Sequence, residues 1–279
     1  MRVRVDDVEL YVHERGEGRP IVALHGGPGL DGSVWFPGLD AIVAQGNRVL
    51  APDHRGNGRS EGGDPARWTV PQMADDVEAL IGALELENAV VIGWSFGSFV
   101  AQSHMVRHGS ASAYVLMGTI SHPGALADVE HELATFEPES LRAQVAASWA
   151  LEVSVETPEQ AKQLMDDQMP FHVADPTGPL VAQLIEADEV VYRTDVLRHF
   201  AGGGDYGMLD LRDELRGVMK PTLILSGAND RTTPAASAHE LVTLLPNSEE
   251  IVLQDCAHML PYEQPAAFTA ALSSFLERH

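Results

Sequence analysis

Residues 89–108 read Ala89-Val90-Val91-Ile92-Gly93-Trp94-Ser95-Phe96-Gly97-Ser98-Phe99-Val100-Ala101-Gln102-Ser103-His104-Met105-Val106-Arg107-His108. An apolar run suited to a buried strand passes without a spacer into Gly93-x-Ser95-x-Gly97, and a helical pattern follows over Gly97–His108. A strand that turns this sharply into a helix forces Ser95 into a strained backbone conformation. Only glycine fits at the flanking positions, where a Cβ would meet the neighbouring strand or helix. The hydroxyl then projects above the sheet with a helix N-terminus behind it. The bare pattern is common; its strand–turn–helix setting is what makes Ser95 a candidate nucleophile.

Short apolar runs of the same kind recur at Ile21–Leu24, Val49–Ala51, Tyr114–Met117, Thr222–Leu225 and Glu250–Leu253. They suit strands buried on both faces. Helical patterns over Val70–Leu84, Pro234–Leu244 and Pro265–Leu276 lie between or after them, which predicts an α/β fold with a mostly parallel, doubly wound sheet. Arg2–Val5 and Val8–His13 alternate around Asp6-Asp7 and predict an antiparallel hairpin. From His122 to Leu215 no buried strand is visible. The segment is rich in Glu, Asp, Gln and Met and interrupted by Pro138, Pro158, Pro170, Pro176 and Pro179. It predicts a helical cap, residues 122–215, inserted into a core of residues 1–121 and 216–279. Gly202-Gly203-Gly204 predicts a flexible return to that core.

His25-Gly26-Gly27-Pro28-Gly29 follows the run at Ile21–Leu24. A glycine-rich loop at this place lets a backbone N–H point into the site and stabilise a developing oxyanion. The N–H groups of Gly27 and Phe96 are the expected hole, and His25 is expected to be structural. A serine nucleophile needs a base, and the base an orienting acid, in the chain order Ser, acid, His. Asp230 closes Gly227-Ala228-Asn229-Asp230 after one strand, and His258 lies in Asp255-Cys256-Ala257-His258 after another. Both sit where crevices form in open α/β sheets. Asp255 is a rival acid, expected to cap its loop, and Cys256 is expected to be a buried small hydrophobe. The segment Asp53-His54-Arg55-Gly56-Asn57-Gly58-Arg59-Ser60 is expected to tie the oxyanion loop to its neighbour through Asp–Arg hydrogen bonds.

Composition removes other classes. The 279 residues are 44% hydrophobic and 21% charged, ordinary for a globular chain. The formal net charge of −23, from 18 Lys and Arg against 41 Asp and Glu, argues against nucleic acid and anionic membrane as partners. One cysteine excludes an intramolecular disulfide and a multi-cysteine metal site. His131-Glu132 and His239-Glu240 begin like H-E-x-x-H but reach Thr135 and Thr243 instead of a second histidine. With no signal-peptide-like run and no apolar stretch near the ~20 residues of a membrane span, a cytoplasmic protein is expected.

Together, His25–Gly29, Asp53–Ser60, the serine turn, Asp230 and His258 resemble the α/β-hydrolase fold. The complete His-Gly-Gly-Pro-Gly loop and Gly93-Trp94-Ser95-Phe96-Gly97-Ser98 are most similar to proline iminopeptidases, which release an N-terminal residue, typically proline, under a helical cap. The resemblance implies Ser95 as nucleophile, His258 as general base and acid, and Asp230 as its orienting acid. That group usually has Gly-Gly-Ser-Trp-Gly-Ser, so Trp94 and Phe96 are departures. Its caps carry a Trp-x-x-Glu-like segment whose carboxylate helps hold the substrate's ammonium. Trp149-Ala150-Leu151-Glu152 matches it, which implies Glu152, with Trp94 and Trp149, as substrate-binding residues; no second acidic residue of those caps finds a match. The expected partner is a small molecule or short peptide, with no metal and no organic cofactor. A carboxylesterase or lactonase, a C–C bond hydrolase, and a non-catalytic receptor keeping the fold remain alternatives.

Overall fold

The apolar runs pair into one eight-stranded sheet in the computed structural model, which describes residues 1–187, 189–203 and 210–279. Its strands are β1 (Arg2–Val5), β2 (Val8–Arg15), β3 (Arg19–Leu24), β4 (Asn47–Pro52), β5 (Val90–Trp94), β6 (Ala113–Met117), β7 (Thr222–Gly227) and β8 (Ser248–Leu253). The spatial order is β1-β2-β4-β3-β5-β6-β7-β8, antiparallel from β1 to β4 and parallel from β4 to β8. β3 pairs with β4 on one side and β5 on the other. The chain therefore leaves these strands in opposite directions, and a crevice opens at the carboxyl ends of β3 and β5. His25–Gly29 and the serine turn are the loops leaving those ends.

The absence of polar alternation in the central strands has a direct cause. Val22, Leu24, Val91, Tyr114, Leu116 and Ile224 join one core, while Ile21, Ala23, Val90, Ile92, Val115 and Leu225 join another on the opposite face. Helices cover both. They are α1 (Asp40–Ala44), α2 (Val70–Ala83) and α3 (Phe96–Arg107); then α4 (Ala127–Thr135), α5 (Glu139–Leu151), α6 (Pro158–His172), α7 (Pro179–Glu186) and α8 (Thr194–Ala201); then α9 (Arg212–Leu215), α10 (Ala235–Leu244), α11 (Leu260–Glu263) and α12 (Pro265–Arg278). Residues of α2, α3 and α10 pack in the first core, those of α1 and α12 in the second.

The insertion between β6 and β7 is helical. Its prolines do something other than interrupt. Pro158 and Pro179 are the first residues of α6 and α7, and Pro138 is the N-cap of α5; at a helix start the missing N–H costs nothing. Thr157 and Gln160 add a capping box to α6. Pro170 alone lies inside a helix, in the last turn of α6. Two small cores hold the insertion: Val155, Ala161, Leu164, Tyr192 and Leu197, against which Leu30 packs, and Val129, Phe136, Val145 and Phe171, against which Trp149 packs. Val196, Phe200 and Leu215 join the main core instead. Gly204 of the expected return lies outside the described residues. No helix among the described residues is long and apolar enough to cross a membrane.

His104, buried in α3, bonds Tyr114 Oη (2.9 Å) and Glu78 (3.0 Å). Burial outweighs the Glu78 carboxylate and holds its pKa down to about 4, against 6.5 ordinarily. Below 6.5 the unfolded chain takes a proton that the folded one refuses, so this stability is present at neutral pH and is lost as pH falls towards 4. Between pH 7 and 5 the loss is about 2 kcal/mol. In urea unfolding, the gap in stability between wild type and His104→Gln is expected to shift by that amount over this interval. A gap constant with pH would show that His104 titrates normally in the fold.

Candidate active site

Ser95 stands between β5 and α3, as the N-cap of α3, at φ 53° and ψ −119°, a region that residues with a Cβ rarely occupy. The two glycines beside it make the turn possible. A Cβ on Gly93 would lie 2.3 Å from the Gly97 carbonyl oxygen, and one on Gly97 would lie 2.2 Å from that of Leu24. Phe96 then opens α3, its N–H at the positive end of the helix dipole. The loop after β3 presses against this turn, since a Cβ on Gly26 would approach Ser95 Cβ to 3.2 Å. Next to it Gly27 takes φ +54°, and its N–H makes no hydrogen bond among the described residues. The N–H groups of Gly29 and Gly32, by contrast, are taken by Asn57 Oδ1 (2.6 Å) and Asp53 Oδ1 (2.8 Å).

The segment after β4 holds this loop in the manner expected. Asp53 also accepts from the Arg59 N–H (2.7 Å) and bonds His13 (2.9 Å), and Arg59 pairs with Asp31 (2.7 Å). His13, Asp31 and Asp53 offer ligand atoms within 4.8 Å of one another. Their carboxylates are already engaged, however: Asp31 accepts from Ser33, Val191 and Arg59. The cluster is a brace. His25 is structural as well. His54 N–H donates to its Nε2 (3.1 Å), so Nδ1 carries the proton and donates to Gly26 O (3.0 Å), and burial holds the ring neutral.

Across the crevice, His258 Nδ1 donates to Asp230 Oδ2 at 2.8 Å. Asp230 is buried in the loop between β7 and α10. Its Oδ1 accepts from the Thr232 and Thr233 N–H groups, both at 2.9 Å, and its Oδ2 also accepts from Thr233 Oγ1 (2.7 Å). Burial works to raise its pKa, but His258 and these donors outweigh burial and hold the carboxyl below its ordinary range. Asp255 is exposed at φ +50° and takes no part. Cys256 is buried, and burial, Glu263 and Asp230 push its thiol upward, which leaves it a protonated, inert group.

The His258 ring is walled on several sides. Gly118, at φ +51°, leaves room where a Cβ would stand 3.0 Å from His258 Cε1. Trp94 packs 6.2 Å away and donates its indole N–H to the His258 carbonyl (3.1 Å), so that donor is spent on the loop instead of remaining open to a substrate. His258 and Ser95 line one cavity of about 780 Å³, together with Gly27, Trp94, Trp149 and Glu152. No hydrogen bond joins Ser95 to His258 among the described residues, an arrangement common before a substrate tightens the site. Glu152 is largely enclosed; burial pushes its carboxyl upward, and Gln168 Nε2 donates to its Oε1 (2.7 Å). Trp149 Nε1 is buried without an acceptor among the described residues.

Residues 19–265 match the family model of the alpha/beta hydrolase fold. The chain belongs to that family. This hydrolase is 28% identical to a non-heme haloperoxidase of Rhodococcus erythropolis over 98% of its own length and 97% of the relative's. It is 26% identical to a proline iminopeptidase of Levilactobacillus brevis, covering 93% and 89%. An esterase from Exiguobacterium antarcticum shares the fold, with a TM-score of 0.78 and 21% identity over 99% of each chain.

The structure thus brings Ser95, Gly27, Phe96, His258, Asp230, Trp94, Trp149 and Glu152 of the hydrolase to one crevice and its cavity. Thr233, Gly118, Gln168 and His172 are site residues that the sequence reading passes over. Thr233 lies three residues beyond Asp230, where the hydroxyl and N–H pattern of a turn was a usable signal. The other three carry no local signal, because each acts on a partner distant in sequence.

Proposed function

We propose that the protein is a serine hydrolase that acts on substrates with a free N-terminal amine, in the manner of a proline iminopeptidase. The enclosed carboxyl of Glu152 on the wall of the Ser95 cavity carries this reading. A half-buried carboxylate answered, among the described residues, by one neutral amide is under-compensated, and a substrate ammonium would complete it. In the chemical step Ser95 Oγ attacks the carbonyl carbon while His258 Nε2 takes its proton. The oxyanion is received by the Gly27 and Phe96 N–H groups. His258 returns the proton to the leaving amine, which departs and leaves an acyl-Ser95 ester. Water, deprotonated by His258, then attacks that ester; His258 passes the proton to the departing Ser95 Oγ, which frees the carboxylic acid and restores the serine hydroxyl.

A second reading, hydrolysis of small esters, is favoured by the apolar wall formed by Met165, Met169, Leu184, Ile185 and Val190. A paired assay separates the two. With prolyl-p-nitroanilide, Glu152→Gln is expected to raise KM about 10-fold or more, a charge-assisted contact being worth roughly 1.5–3 kcal/mol. With a short-chain p-nitrophenyl ester, KM is expected to hold. Equal kinetics on both substrates would remove the ammonium site and move the protein to the esterases.

A further inference from the structure

The insertion meets the Asp230 and His258 loops through Phe171, His172, Val173 and Ala174. His258 N–H donates to the His172 carbonyl (3.0 Å). Arg231 Nη1 donates to the carbonyls of Phe171 (3.3 Å) and Val173 (2.9 Å). Ala174 N–H donates to Glu263 Oε2 (2.6 Å), while Glu263 Oε1 accepts from Ala257 and Met259, the two neighbours of His258. These contacts use the main chain of the insertion, so they would survive almost any side chain at position 172.

The side chain at 172 is nonetheless a histidine, and it is set against the base. Its ring centroid lies 5.4 Å from that of His258 at 36°, on a ring that also has Trp94 as a neighbour. Its Nδ1 bonds Thr232 Oγ1 (2.9 Å), and Thr232 N–H donates to Asp230 Oδ1 (2.9 Å). The contacts close a loop from His172 through Thr232 and Asp230 to His258. Phe171, Phe136 and Trp149 make this part of the insertion aromatic and apolar. A phenyl ring would pack there without the cost of desolvating an imidazole. Burial first, and the nearness of His258 second, hold His172 down to about 3. It stays neutral and does not compete for the serine proton.

We propose that His172 is a positioning residue, lent by the insertion, that fixes Thr232 and the face of the His258 ring so that Nε2 is aimed at Ser95. The inference rests on the serine-hydrolase reading, with His258 as base. On this account the insertion does more than shape the cavity: the base is held in line while Phe171–Ala174 is seated on the core. A small error in aim is costly, since a displacement of about 1 Å lowers rates on the order of 100-fold.

The test uses the full-length chain with His172→Ala, His172→Gln, Thr232→Val and the His172→Ala/Thr232→Val pair. Steady-state kinetics on a p-nitrophenyl ester are read beside the downfield proton resonance of the His258 Nδ1–H. His172→Ala is expected to lower kcat about 10- to 100-fold with KM nearly unchanged, and to shift or broaden that resonance. Glutamine, which can still bond Thr232, is expected to recover part of kcat, and the double variant to be no worse than His172→Ala alone. A folded His172→Ala with wild-type kcat, or a loss confined to KM, would overturn the proposal and leave His172 a wall of the cavity. If His172→Ala does not fold, Thr232→Val carries the test, because it leaves the packing of the insertion intact; unchanged kcat and resonance there would also overturn it. Labelling by a fluorophosphonate tells the two failures apart. If Ser95 does not label, the hydrolase reading falls; a labelled Ser95 with an indifferent His172 removes the positioning role alone.

Discussion

Replacing Ser95 with alanine is expected to lower kcat by about 10⁵-fold or more on any substrate the wild type turns over, with folding and substrate affinity retained. The size follows from what is removed. Without Oγ no acyl-enzyme forms, and His258 and the oxyanion donors are left to assist direct attack by water, for which they are poorly placed. Retention of fold follows from the backbone. The positive φ of Ser95 is imposed by the close approach of Gly93 to Gly97 and of Gly97 to Leu24, and alanine takes that conformation at about the same cost as serine. The Ser95 N–H and carbonyl remain bonded to Met117 O and Ser98. Stopped-flow detection of the product burst, with denaturant unfolding as a control, checks both halves. A variant that kept more than about one hundredth of wild-type kcat would place the nucleophile elsewhere.

The legible part of this molecule was the part in which local rules and tertiary structure agree. Strands buried on both faces leave uninterrupted apolar runs, and Ile21–Leu24, Thr222–Leu225 and the run before Gly93 read as they fold. The serine turn was legible because its two glycines are obligatory for steric reasons that act within a few residues. Asp230 and His258 could be placed because each follows a strand by a short loop, so chain order fixes their position at the crevice. The insertion resisted for physical reasons. Its helices divide their surfaces among a small core, a cavity and solvent, which blurs the 3.6-residue period, and cavity-lining Met165 and Met169 look like core residues in sequence. Prolines that start α6 and α7 read as breaks. The bond from Gln168 to Glu152 and the packing of His172 on His258 join residues with no common local pattern.

Asp230→Asn is expected to cost about 10⁴-fold in kcat while the fold and the cavity stay as they are, and the local hydrogen bonds explain why. Oδ1 of Asp230 faces two backbone donors, the N–H groups of Thr232 and Thr233; Oδ2 faces His258 Nδ1 and the Thr233 hydroxyl. An asparagine at this position has one acceptor oxygen and one NH₂. Turning the NH₂ towards two main-chain N–H groups would oppose donor to donor twice in a buried place, so the amide oxygen takes the Oδ1 site. The NH₂ group is then left against His258. Thr233 Oγ1 can reverse its role and accept from it, but Nδ1 of His258 must become an acceptor as well. The ring proton moves to Nε2, the nitrogen that has to receive the proton of Ser95. The variant therefore holds a base of the right shape in the wrong tautomer. Asp230→Ala makes no such demand on the tautomer and leaves Nδ1 without a partner; it too loses the carboxylate that favours the imidazolium. ¹⁵N resonances of His258 at neutral pH are expected to show the proton on Nδ1 in the wild type and on Nε2 in Asp230→Asn. An asparagine variant that kept wild-type kcat, or kept the proton on Nδ1, would mean that Asp230 braces its loop and that orientation of His258 comes from elsewhere.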